Sequence, residues 1–253
     1  MKKLLVLAVL ALSAILAAPV LAQEKKTIVI ATDATWPPFE FINEQKELVG
    51  LSVDYMRAAA IEGGYEVKII NAAWDGIFGG LINKQYDAIC SSVTITDERK
   101  KTMDFSIPYF TVSQAVIVPK DSTVKTFDDL KGKTAGSQIG TTGTFAIEKA
   151  GGVVSKTYDE VGLAVEDLYN GRIDSVVCDD AVASNYIMEN NDYRSKLKIA
   201  FIMDTPDSEE FYGVAVRKGD DKGILEMINK GIEGVKAKGI DKELHKKWIA
   251  IGE

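Results

Sequence analysis

The chain is 253 residues long, 46% hydrophobic and 26% charged, a balance that folds around a core and excludes disorder, collagen and coiled coil. Asp and Glu (37) outnumber Lys and Arg (30), giving a formal charge of -7 and a pI near 5.0, so no basic footprint exists to neutralise a nucleic acid. Two cysteines are too few for a disulfide scaffold and one histidine leaves no histidine-rich metal site or histidine-based triad, so neither metal nor cofactor is expected.

Met1-Lys2-Lys3, the apolar run from Leu4 and the small residue closing Val20-Leu21-Ala22 form the basic, hydrophobic and cleavage regions of a signal peptide over 1–22. Ser13 and Pro19 interrupt the run short of the about 20 apolar residues that span a bilayer. No cysteine follows the cut, which removes the attachment point of a lipid anchor. Without Lys2 and Lys3 the mature chain has 28 basic against 37 acidic residues, a charge of -9. An exported, acidic, soluble protein is expected.

Thr27-Ile28-Val29-Ile30-Ala31 is a β-branched run of strand length, and Trp36-Pro37-Pro38-Phe39 cannot continue its ladder because proline has no N–H to donate. Apolar residues from Val53 to Ile61 recur at helical spacing, Gly63-Gly64 stops them, and Tyr65 to Ile70 alternates like a strand. That is a βαβ unit. A second helix is predicted from Trp74 towards Asn83, then a short buried strand Asp87–Cys90 that opens into Ser91-Ser92-Val93-Thr94. After the apolar stretch Ala115 to Val118 the layout repeats. Phe127–Leu130 looks helical, Gly140-Thr141-Thr142-Gly143 precedes a helix, and Gly171-Arg172-Ile173-Asp174 leads into the strand Ser175–Cys178. A last strand is predicted from Gly213 to Val216 and helical spacing from Ile224 to Trp248. The pattern predicts an α/β fold of two lobes, each a parallel sheet under helices, with polar residues at the strands' carboxyl ends facing one cleft.

Arg99 falls in the first turn of the helix predicted after Thr94-Ile95-Thr96-Asp97-Glu98, where the macrodipole disfavours a cation by a few tenths of a kcal/mol. An anion would repair the conflict. Its planar fork beside free backbone N–H groups matches a carboxylate, with Ser92 and Thr94 adding hydroxyl donors; a surface arginine paired with Asp97 or Glu98 is the competing reading. Thr142 stands at a second helix start whose glycine loop lacks the lysine of a P-loop. Asp179 is either an N-cap or a carboxylate facing an ammonium. Trp36 and Trp74 could sandwich a ligand side chain, cationic ones included, whereas Phe39 reads as core. Cys90 and Cys178 end corresponding strands and read as two buried thiols, Cys178 as a possible ligand contact. His245, among Lys242, Lys246 and Lys247, reads as a solvated face with no role.

Thr32-Asp33-Ala34-Thr35-Trp36-Pro37-Pro38-Phe39, Val49-Gly50-Leu51-Ser52-Val53-Asp54, Tyr86-Asp87-Ala88-Ile89, Thr94–Arg99, Asp104-Phe105-Ser106 and Lys246-Lys247-Trp248 stand in order along the mature chain. Together they resemble the polar amino-acid-binding proteins of ABC importers (solute-binding protein family 3), which include lysine/arginine/ornithine-, histidine- and glutamine-binding members. The resemblance implies a periplasmic-binding-protein-like type II fold, two lobes joined by a two-stranded hinge, with lobe 1 over 23–110 and 213–253 and lobe 2 over 111–212. It implies a periplasmic monomer that closes on one amino acid and delivers it to importer membrane subunits.

Carried over by position, the family's carboxylate clamp falls on Arg99 with Thr94 and Thr142, its ammonium acceptor on Asp179, and its side-chain pocket on Asp33, Trp36, Trp74, Ser91, Ser92 and Gln138, with Glu40 nearby. Ser91-Ser92 is similar to the lysine/arginine/ornithine and histidine binders. Gln138 departs from glutamine binders, which carry a lysine there. Ser52 stands where basic amino-acid binders often have an acid, which weakens a purely basic preference. Carboxyl groups beside aromatics favour a cationic or amide side chain over an acidic one. A basic amino acid is therefore expected, with glutamine as the alternative. The same fold also hosts cyclohexadienyl dehydratases, for which Glu40 would be the general acid, but no enzyme activity is expected.

Overall fold

The structure, a computed structural model, describes residues 25–203, 210–220 and 222–249. The signal peptide expected over 1–22 lies outside them. Two five-stranded sheets form the frame. In the first, the strand Thr27–Thr32 lies parallel to Glu66–Asn71 on one side and to Ala88–Ile89 on the other, and antiparallel Ala215–Arg217 then Met103–Phe105 complete it. In the second, Thr134–Gln138 is flanked by parallel Val154–Tyr158 and Ser175–Asp179, followed by antiparallel Gln114–Pro119 and Leu197–Ile202. The two sheets have the same order, so the repeat seen in the sequence is a repeat of topology.

Parallel neighbours require crossovers, and helices supply them. Leu51–Gly63 and Ile77–Ile82 serve the first sheet, Thr142–Ala150 and Val161–Tyr169 the second. Alternation sorts the strand residues between layers. Ile28 and Ile30 face a cluster with Tyr55, Met56, Ile228 and Ile232, while Ala31 and Ile89 face Ile77 and Leu81 on the other side. The helix Ile224–Ala237 returns from the end of the chain to pack on Leu51–Gly63. Gly231 sits at their contact, where a Cβ would come within 2.2 Å of the Ala59 carbonyl oxygen.

Several sequence expectations are corrected. The chain after Asp33 does take up a ladder again: Thr35–Trp36, Glu40–Ile42 and Leu48–Val49 make a small three-stranded sheet, with Pro37-Pro38 confined to the turn where no N–H is needed. The second helix begins at Ile77, after Gly76 at φ 94, which leaves Trp74 in the preceding loop. Phe127–Leu130 is a single 3-10 turn closed by a Thr126/Asp129 capping box. The C-terminal apolar pattern is two helices, because Gly239 at φ 72 ends one and starts Ile240–Trp248. The last strand is Ala215–Arg217, preceded by an unpredicted one, Glu210–Tyr212. Glu210–Tyr212 pairs antiparallel with Phe110–Val112, so the two chain passages between the sheets form one ribbon. His245 is exposed but stacks on Phe110 of that ribbon, with ring centroids 5.7 Å apart and planes at 17°.

Because the Gly231 contact is backbone against backbone, Gly231→Ala should lower the unfolding free energy by about 1–3 kcal/mol. Urea denaturation of the variant beside the wild type measures it, and an unchanged midpoint would refute the contact.

Candidate functional site

The carboxyl ends of the parallel strands deliver polar residues to one place. Asp33 follows Thr27–Thr32, Ser91 and Ser92 follow Ala88–Ile89, Gln138 ends Thr134–Gln138, and Asp179 ends Ser175–Asp179. Open α/β sheets bind ligands at this edge. All ten residues singled out in the sequence, Asp33, Trp36, Trp74, Ser91, Ser92, Thr94, Arg99, Gln138, Thr142 and Asp179, line one cavity together with Thr141. It encloses about 320 Å³ of non-atom space, part of it open to solvent. Glu40 and Ser52 do not line it.

Four hydrogen bonds cross between the groups hung from the two sheets. Trp36 Nε1 donates to Asp179 Oδ2 (3.2 Å), Trp74 Nε1 to the Ile139 carbonyl (2.8 Å), Arg99 Nη2 to the Gly140 carbonyl (3.1 Å) and Gln138 Nε2 to Asp33 Oδ2 (3.1 Å). The tryptophans therefore join the lobes by their edges. The ring of Trp74 lies edge-on to Phe78, with the Arg99 guanidinium 5.6 Å from its centroid and 5.4 Å from that of Phe78. The Trp74 ring is thus already in contact with a cation of the protein.

Arg99 is not the surface arginine of the competing reading. Asp97 pairs with Lys100 at 3.3 Å and Glu98 with Lys101. Arg99 Nη1 instead donates to the Thr94 carbonyl (2.8 Å), so two of its five N–H groups are engaged and three remain. The expected helix start is only the four-residue turn Asp97–Lys100, and the Thr96 hydroxyl already accepts from the Arg99 backbone N–H (3.2 Å). Charge on the side chain, not a free helix end, is what this wall offers an anion. Burial lowers the guanidinium pKa to about 10, against the pull of Glu210 and Asp179, so it stays charged at neutral pH.

Asp179 stands before the helix Asp180–Glu189 but makes no side-chain cap; Asp180 Oδ1 accepts the Ala181 N–H instead (2.8 Å). The Asp179 carboxyl, 4% exposed, accepts from Trp36 Nε1, from Gln114 Nε2 (2.5 Å) and from the Tyr212 hydroxyl. Burial raises its pKa to about 7, with Glu210 adding repulsion and the Tyr212 and Gln114 donors opposing. Burial likewise raises Asp33, with Thr35 and Gln138 opposing.

Glu40 is fully buried with neither carboxyl oxygen hydrogen-bonded, and burial pushes it well above the carboxylate range. An acid pushed towards its neutral form and set behind the wall does not face the ligand as the expectation had it. Ser52 bonds the Tyr109 hydroxyl (3.0 Å) outside the cavity, so its departure from the acid of basic binders carries no weight. Cys90 and Cys178 are free and buried, both thiols pushed up by burial; Cys178 belongs to the core and does not reach the cavity.

A family model described as bacterial extracellular solute-binding proteins, family 3, matches residues 28–251. The chain belongs to this family. It is 37% identical over 234 residues to a probable histidine-binding protein of Neisseria gonorrhoeae, covering 90% of this chain and 85% of the relative. It is also 37% identical to the ABC transporter arginine-binding protein 1 of Escherichia coli K12, over 90% of this chain and 93% of the relative. Among solved structures, an ancestral arginine-binding protein bound to arginine matches with a TM-score of 0.81 at 38% identity, covering 88% and 98% of the two chains. As in these extracytoplasmic binding proteins, this family 3 chain has two lobes of type II topology.

Three residues around this family 3 cleft escaped the sequence reading. Gln114 stands opposite Asp179 in the sheet register, a pairing that links positions 65 apart. Tyr212 and Glu210 arrive on the ribbon strand, which had no apolar alternation to announce it.

The raised pKa of Asp179 fixes a sign. Its neutral form is favoured by the fold, so this contribution to stability is whole below about pH 4 and lost as pH rises through about 7. Whatever fixed cost the amide carries, Asp179→Asn should therefore gain in stability relative to wild type between pH 5 and pH 8. Thermal melts of both proteins across that range test it; a constant difference would refute the shift.

Proposed function

We propose that the protein captures a polar L-amino acid with a basic side chain, arginine, lysine, ornithine or histidine, in this cavity and delivers it to the membrane subunits of an ABC importer. The observation that carries the reading is the placement of a guanidinium and a buried carboxyl on walls from opposite sheets, with a second carboxyl, Asp33, and two tryptophans on the same lining. A zwitterion matches this charge pattern. Its carboxylate pairs with Arg99, its ammonium with Asp179, and a cationic side chain reaches Asp33 beside Trp36, Trp74, Ser91, Ser92 and Gln138. The histidine- and arginine-binding names of the relatives support the same ligand class.

Lobe 1 over 23–110 and 213–253 and lobe 2 over 111–212 rotate about the Phe110–Val112/Glu210–Tyr212 ribbon, and the ligand stabilises closure because only the closed cleft brings Arg99 and Asp179 to one molecule. A micromolar dissociation constant, about 8 kcal/mol, is within reach of two desolvated charge-assisted contacts with aromatic packing. Export by a peptide over 1–22 places this monomer in the periplasm. The protein is read as a carrier and not a catalyst: Glu40, the acid that a dehydratase reading needs, does not line the cavity, and ligand recovered after prolonged incubation should be chemically unchanged.

A thermal-shift screen of the twenty amino acids with ornithine and citrulline identifies the ligand, since a tight binder raises the melting temperature by mass action. The largest shift is expected for a basic amino acid. Arg99→Ala should then weaken that ligand by about 2–5 kcal/mol with the fold intact, measured by calorimetry, because a ligand carboxylate would be buried without its partner. Affinity retained within about tenfold, 1.4 kcal/mol, would refute the role of Arg99.

A further inference from the structure

Glu210 sits under the cavity floor, on the ribbon strand opposite Val112, and does not line the cavity. One of its oxygens, Oε2, accepts three hydrogen bonds: from Thr142 Oγ1 at 2.7 Å, Thr94 Oγ1 at 3.2 Å and Gln114 Nε2 at 3.2 Å. Thr94 follows a strand of the first sheet; Gln114 and Thr142 belong to elements of the second. A single carboxylate oxygen therefore ties the floor together from both sides.

The proton count at this floor selects a ligand group. A threonine hydroxyl has one proton, and both threonines give theirs to Glu210. The Thr142 oxygen also accepts from Gln114 Nε2 at 3.1 Å. Gln114 has two N–H protons and faces three acceptors, Asp179 Oδ1, Glu210 Oε2 and the Thr142 hydroxyl. The cluster is short of donors and rich in lone pairs. The Thr94 and Thr142 hydroxyls thus have acceptor capacity left, with their protons already given to Glu210.

We propose that Glu210 is a positioning residue of the amino-acid site: by taking the protons of Thr94 and Thr142 it turns this floor into an ammonium receptor with Asp179 and leaves the ligand carboxylate to Arg99. An incoming ammonium brings the three N–H donors that the cluster lacks, and the second carboxylate strengthens the field at Asp179 from the far side of Gln114. The inference rests on the amino-acid-binding reading and names which end of the zwitterion each wall holds.

The test uses two ligands that differ only at the α-position: the preferred basic amino acid and its deamino analogue, for arginine 5-guanidinopentanoate. Calorimetry on wild type and Glu210→Gln gives the affinity ratio of the pair. The variant should weaken the amino acid by about tenfold or more while the deamino analogue changes by less than about threefold, so the ratio collapses. Equal weakening of both ligands would reduce Glu210 to scaffold, and no weakening would remove it from the site; either overturns the proposal. If Glu210→Gln does not fold, Thr142→Val cuts the 2.7 Å contact and must shift the ratio in the same direction, equal weakening again being fatal. A wild type that binds no amino acid at all refutes the proposed function itself, a result distinct from any variant outcome.

Discussion

A carboxyl sunk among donors from three distant stretches of chain is the constraint on which the cleft depends. Trp36, Gln114 and Tyr212 all give a proton to Asp179, and they lie 143, 65 and 33 residues from it in sequence. Desolvation pushes the group towards its neutral form and the donors pull it back, leaving a pKa of about 7. Fewer donors would leave an acid with no charge to offer, whereas a fully solvated carboxylate would lose strength to the dielectric of water. Satisfying all three donors requires the first lobe's small sheet, the second lobe's central strands and the ribbon between them to meet at one point. The architecture is thus the condition for the charge.

Much of this was legible in the sequence because the site grows from strand ends. Hydrophobic runs place the strands, and the polar residue that terminates each run, Asp33, Ser91, Gln138 or Asp179, is delivered to the same edge by the topology. Arg99 stood out because a cation in a first turn is out of place there. What stayed hidden depends on pairing between segments far apart. Glu210 and Tyr212 belong to a three-residue strand whose partner lies about a hundred residues away, and nothing local marks it. Hydroxyl polarity was equally unreadable: whether Thr94 gives or takes a proton is decided by Glu210, not by threonine. Glu40 failed for the opposite reason, since an acid in a family-like motif gives no sign that burial will neutralise it.

The region behind the cavity carries groups that a stability optimum would not keep. Glu40 has two buried oxygens without hydrogen bonds, and the Ser92 hydroxyl is likewise unpartnered on a backbone at φ 47, a conformation that L side chains rarely adopt. Each such group costs about 1–3 kcal/mol. Ser92 lines the cavity, so ligand contacts can offset its cost, whereas Glu40 lies behind it and the Tyr55 and Tyr65 hydroxyls, also unpartnered, lie in the core.

The position of Ala215–Arg217 has a consequence for the order of assembly. It is an interior strand of the first sheet, between Ala88–Ile89 and Met103–Phe105, yet it comes from the last fifth of the chain. The second sheet draws all its strands from one continuous stretch and can consolidate by itself. The first is left with a gap between two strands until residue 217 has been made, so the sheet that begins at Thr27 cannot close before the whole of the second has been formed.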